Sequence, residues 1–194
     1  MNFQSAKEYI LKRLAAELPP KLYYHGLHHT IDVYNSAKQL AADELLSGEE
    51  LLLLETAVLF HDAGFIEQYQ HNEPVGVKIA KEALPQFGYN PGQIETIANI
   101  IMATARQEQP QTLSEKIMCD ADLDYLGSSN FNTIAASLRK ELDAYGITYT
   151  DYNWDEMQLS FLEKHTYYTD AAIRKNAAAK KVHIEEIKSR INRI

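Results

Sequence analysis

LLLLETAVLFHDAGF, residues 51–65, makes two opposed demands on the fold. From Leu51 to Phe60 only Glu55 and Thr56 are polar. A helix that apolar is buried on nearly every side. His61 and Asp62 then end the run beside the core, and a buried carboxylate without a partner is costly. Either an ordinary polar partner compensates the pair or a metal ion does.

Working outward, almost every segment carries helical signals. Asn2 to Leu18 is periodic and stops at Pro19-Pro20. A second helix is expected from about Leu27 to Leu45. Ser47-Gly48-Glu49-Glu50 has the capping-box pattern ahead of the apolar run. Pro74 suits a first helical turn, with Gly88 as the C-terminal stop. Asn90-Pro91 opens another helix, and Thr112 to Glu115 repeats the capping-box pattern. Further helices fit Phe131 to Tyr145, Trp154 to Tyr167 and Thr169 onward. YGITYTDYN (145–153) has β-formers enough for a short strand but no partner strand. The expected class is all-α, a single helical domain over residues 1–194, with no repeat or domain-sized linker.

Composition narrows the partners. The chain of 194 residues is 45% hydrophobic and carries a net charge of −8. Phosphate-backbone binding needs a cationic face, so nucleic acid is not expected as a partner. The basic residues near the C-terminus (Arg174, Lys175, Lys180, Lys181, Lys188, Arg190, Arg193) are spaced like a solvated helix face. Cys119 is the single cysteine, which excludes an intramolecular disulfide and points to a reducing cytoplasm. The N-terminal stretch lacks the unbroken apolar core of a signal peptide, and no run is long enough to span a membrane.

Two windows supply chemistry. YYHGLHHT (23–30) places His25, His28 and His29 before a helix. His29, Val33, Ala37 and Leu40 then form one stripe, which turns His29 toward the core. His25 and His29 have the spacing of a metal-binding pair, but Gly26 stands where a zincin needs glutamate, so a metalloprotease is not expected. DADLDY (120–125) is the acidic window. Counted from Asp120, Tyr125 and Phe131 occupy the positions where a calcium loop needs Gly and Glu, so the EF-hand fails. The bland alternative is that Asp120 or Asp124 caps or breaks a helix. Two imidazoles with two carboxylates would suit a divalent transition ion (Mn, Fe, Co, Ni or Zn) better than calcium.

The order His…His-Asp…Asp resembles the signature of the HD superfamily of metal-dependent phosphohydrolases. The local wording is similar too: YHGLHHT, then LFHDAG (59–64), HNE (71–73), IIMAT (100–104), DADL and FLEKHTYYT (161–169). The resemblance is strongest over residues 21–180 and is closest to bacterial stand-alone members. It implies that His29, His61, Asp62 and Asp122 hold one divalent metal ion, with Asp120 and Asp124 as neighbours. It implies hydrolysis of a phosphoester of a nucleotide or similar small molecule by a metal-activated water, with Glu73 or Glu67 as acid and base. Members with two metals carry further histidines; here His71 is the candidate, and Thr104 stands where another would be expected. Phe65 replaces a lysine that often follows the motif. His25 is expected to orient a ligand, contact phosphate or cap the helix, and Lys78 and Arg106 are candidate positive charges that otherwise read as surface residues. Beside the phosphohydrolase stand a non-catalytic metal- or nucleotide-binding regulatory module, a two-iron oxygenase and a purely structural helical domain.

Overall fold

The computed structural model describes residues 1–105 and 109–192. Its helices are α1 (Phe3–Glu17), α2 (Leu27–Asp43), α3 (Gly48–Phe60), α4 (Asn72–Ala83), α5 (Pro91–Met102), α6 (Leu113–Asp122), α7 (Phe131–Ala144), α8 (Asp151–Lys164) and α9 (Asp170–Ile191). Short 3-10 turns cover Ala63–Ile66, Leu84–Phe87 and Asp124–Gly127. No strand occurs among the described residues: the segment after Tyr145 runs as a loop into α8, whose first turn Thr150 caps through Asn153 N at 3.2 Å.

The central element is α3, against which α1, α2, α4, α5 and α6 all pack. Leu53, Leu54, Val58, Leu59 and Phe60 are all buried, each contributing about 1.5–3 kcal/mol relative to exposure. The two polar residues of the run find protein partners. Glu55 accepts from Tyr34 Oη at 3.0 Å, and Thr56 donates to the Leu52 carbonyl at 2.7 Å beside Tyr89 Oη at 2.8 Å. A second apolar cluster (Leu126, Phe131, Ala135, Trp154, Leu162, Ile187) joins α7, α8 and α9.

The helix starts divide. Thr112 and Glu115 form the expected reciprocal box at α6, and Asn90 with Gln93 forms another at α5. The box expected at Ser47 does not form. Gly48 sits in the left-handed region at φ 63°, so the chain enters α3 on a path that gives the Ser47 hydroxyl no first-turn amide. The C-terminal basic residues are more engaged than a solvated face implies. Lys175 pairs with Asp124 at 2.8 Å, Lys188 with Glu163 at 3.0 Å, and Arg190 clasps the buried Asp155 at 2.8 Å. Arg193 lies outside the described residues, and no described helix is long and apolar enough to cross a membrane.

Candidate metal centre

The ends of α3 and α6 converge beneath the first turn of α2. His29 is buried there, on the same stripe as Val33, Ala37 and Leu40. His61 and Asp62 directly follow α3, and Asp122 is the last residue of α6. Their facing atoms alternate nitrogen and oxygen around a ring. From His29 Nε2 to Asp62 Oδ2 is 3.5 Å, on to His61 Nε2 3.1 Å, to Asp122 Oδ1 3.7 Å, and back to His29 3.0 Å. Ligand bonds of about 2.0–2.2 Å place neighbouring donors roughly 3.0–3.5 Å apart. His29, His61 and Asp122 each bring one donor atom within 4.8 Å of the others; Asp62 joins through its contacts with the two imidazoles.

The surroundings fix which atoms face inward. His61 Nδ1 is 2.7 Å from the Val58 carbonyl, which can only accept, so Nδ1 carries a proton and the Nε2 lone pair faces Asp62 and Asp122 in the neutral ring. Asn72 Nδ2 donates to Asp62 Oδ1 at 3.2 Å, leaving Oδ2 for the ring. Both His61 Nε2 and Asp62 Oδ2 are buried without a hydrogen-bond partner among the described residues. Glu55 and Thr56 on the same helix are satisfied by protein; these two atoms are not, and a divalent ion fits them.

Opposite charges face one another at close range in the site. Burial alone would lower the His61 pKa, but Asp62 and Asp122 outweigh it and hold it well above the ordinary imidazole value. Burial would raise both carboxylates, yet the imidazoles keep Asp62 and Asp122 below their usual range.

Beside the ring stands His25. The fully buried Glu141 of α7 accepts from His25 Nδ1 at 2.5 Å, from the backbone amides of Tyr24 and His25 at 2.8 and 3.0 Å, and from Tyr69 Oη at 3.2 Å. The His25 ring stacks on Phe65 at 4.4 Å. Its expected role as helix cap falls instead to Gly26.

The remaining candidates are spread out. Glu73 is half-buried in the first turn of α4, one residue after Asn72. Glu67 is exposed and paired with Lys78 at 3.4 Å. His71 is exposed with φ 55°, and Thr104 donates back to the Ile101 carbonyl at 2.8 Å. Arg106 lies outside the described residues. Of the two other acids in the 120–125 window, Asp120 receives Tyr168 N, Thr169 N and Thr169 Oγ1 at 2.7–2.8 Å, while Asp124 holds Lys175 and Asn176.

Two glycines set the approach of α4. A Cβ on Gly64 would lie 1.9 Å from the Asn72 carbonyl oxygen, and one on Gly76 would lie 3.0 Å from the His61 carbonyl oxygen. Sequence reasoning quoted Asn72 without giving it a role and passed over Glu141, which reads as an ordinary charge in a helix.

Comparisons with known proteins agree with this frame. No curated protein matches the chain significantly. The crystal structure of Bacillus subtilis YpgQ in complex with ADP is similar in fold, with a TM-score of 0.70 at 18% identity, covering 100% of this chain and 97% of that one. A family model for the HD domain matches residues 26–124, the segment that carries His29, His61, Asp62 and Asp122. The chain belongs to the HD domain family.

Proposed function

We propose that the protein is a metal-dependent phosphohydrolase acting on a small phosphorylated substrate, with one divalent transition ion held by His29, His61, Asp62 and Asp122. The observation that carries this reading is the pair of buried, unpartnered atoms His61 Nε2 and Asp62 Oδ2 facing two further donors. When bound, such an ion supplies Lewis acidity and brings the pKa of a water molecule toward neutrality. The chain's own residues do the rest. The Val58 carbonyl and Asn72 fix the donor atoms, and Glu73 is the first choice to move a proton between water and the leaving oxygen. A nucleotide is a reasonable substrate because the structurally similar YpgQ was crystallised with ADP. Cytoplasmic residence follows the single-cysteine composition.

The regulatory reading, binding without turnover, draws on one observation: Glu67 is exposed and occupied by Lys78, which leaves Glu73 alone as carboxylate candidate. Metal analysis of the purified chain, followed by turnover of p-nitrophenyl phosphate with Mn²⁺, Co²⁺ or Ni²⁺, separates the two. Retained metal with turnover supports the hydrolase, and retained metal without turnover of any phosphoester supports the binding module.

A further inference from the structure

A pocket of about 250 Å³ opens beside the metal centre, and His29 and Asp122 form part of its wall. His61 stays behind them at 1% exposure, whereas the Asp122 side chain is 25% exposed. The centre is therefore reached from the side of this pocket. Asp32 and Ser36 of α2 line one flank, and Thr133 and Ser137 of α7 line the other. Tyr24, Tyr125 and His28 also line it.

Its chemistry is specific. Ser36 is 8% exposed, and its Oγ is buried with no partner among the described residues. The Ser137 hydroxyl donates to the Thr133 carbonyl at 3.2 Å, so its oxygen is left to accept. Two more carboxylates, Asp32 and Asp124, line the pocket, and no described lysine or arginine does. Lys175 reaches Asp124 from α9 but is not part of the wall.

A wall in which carboxylates and hydroxyl oxygens outnumber the imidazoles of His28 and His29 mainly accepts hydrogen bonds and disfavours further anions. A carboxylate facing a diol is a known way to recognise ribose. A second phosphate in the pocket would meet the carboxylates of Asp32 and Asp124, the latter already held by Lys175. Among the described residues, the imidazole of His28 is the wall's one basic side chain beyond His29. The volume is also below the roughly 300–1,000 Å³ of clefts that enclose drug-sized ligands. It suits a sugar-sized group.

We propose that this pocket binds the uncharged, polyhydroxylated part of a phosphomonoester, with its phosphoryl group at the His29–Asp122 end. The inference rests on the phosphohydrolase reading and narrows its substrate to a polyol monophosphate, in preference to nucleoside di- or triphosphates. In the reaction the oxygen of water bonds to phosphorus as the ester P–O bond breaks. One proton of that water goes to the released alcohol oxygen, and nothing is oxidised or reduced. The polyol belongs either to a free sugar phosphate or to the ribose of a nucleotide.

The test uses the full chain loaded with Mn²⁺ and compares kcat/KM for p-nitrophenyl phosphate, ribose 5-phosphate, a nucleoside 5′-monophosphate and the matching triphosphate. The better polyol monophosphate should exceed both p-nitrophenyl phosphate and the triphosphate by roughly tenfold or more, the worth of one or two charge-assisted hydrogen bonds. Which of the two monophosphates leads identifies the source of the polyol. Asp32→Asn should reduce that preference, and Ser137→Phe should remove it by filling the pocket. Saturation-transfer NMR on the metal-free chain should show contact with free ribose that Ser137→Phe abolishes. Should Ser137→Phe not fold, Asp32→Asn, which alters an exposed residue, carries the test. A triphosphate used as well as the monophosphates, or a preference untouched by Asp32→Asn, overturns the inference while p-nitrophenyl phosphate turnover keeps the hydrolase reading. A chain that retains no metal and cleaves no phosphoester overturns both.

Discussion

Asn72 Nδ2 lies 3.2 Å from Asp62 Oδ1, so the residue that opens α4 steadies the carboxylate that follows α3. Removing a partner of this kind commonly costs about 10–100-fold in metal affinity. Asn72→Ala should show that loss in a metal titration with little change in secondary structure. Gly64→Ala should act on the same contact from a distance, because its Cβ would displace the Asn72 backbone. Unchanged affinity in both variants would leave Asn72 as no more than a packing residue.

Asp62→Ala should abolish metal retention and phosphoesterase turnover together. It removes one donor and leaves His61 Nε2 facing Asp122 alone. The metal-free fold should melt no lower than the parent within about 1 kcal/mol, because a buried charge leaves with the side chain. Metal content and a melting curve on the same preparation read both effects, and a variant that still holds stoichiometric metal would contradict the proposed ligand set.

Glu73→Gln should keep the metal while turnover falls by roughly 10²–10⁴, the usual worth of a positioned acid or base. Glu67→Gln, which breaks a surface pair with Lys78, should change turnover little. Full activity in Glu73→Gln would reduce Glu73 to a favourable charge at the start of α4 and move attention to Glu67.

The His25–Glu141 pair should shape stability against pH. Burial would lower the His25 pKa, yet the contact with Glu141 and the nearby carboxylates raise it overall. Its contribution is therefore complete below about pH 6.5, the ordinary imidazole value, and is lost as pH rises through the raised value. Burial would raise Glu141, but His25 and two backbone amides lower it. That contribution is present above about pH 4.3 and is lost as pH falls through the depressed value. Between those limits Glu141→Gln should cost roughly 2–4 kcal/mol, since the donors around a buried acceptor lose their partner. Denaturant melts at pH 5.5 and pH 9 should show a larger penalty at the lower pH.

Much of this was legible in the chain because periodicity reports burial directly. The stripe His29, Val33, Ala37, Leu40 and the run from Leu51 to Phe60 both lie where their spacing put them. The choice among Asp120, Asp122 and Asp124 was not legible from composition. Residues two apart on a helix point about 200° apart, so Asp120 faces α9 while Asp122 faces the histidines. Only the resemblance to a family distinguished them in advance. Ser47 misled because a capping-box pattern says nothing of the backbone angle at Gly48. Glu141 was invisible because Tyr24 and His25, whose amides it accepts, lie more than a hundred residues away.

Asp120 also sets a limit on how the chain can be cut. It binds Tyr168 and Thr169 just before α9, and Glu44 receives the Ala171 amide in the first turn of that helix. A fragment trimmed to residues 26–124 would keep all four proposed ligands, His29, His61, Asp62 and Asp122. It would also strand Asp120 as a carboxylate without donors, two residues from Asp122. The donors that satisfy Asp120 therefore lie outside the segment that the family model matches. A chain that keeps these contacts must run at least to Ala171, in the first turn of α9.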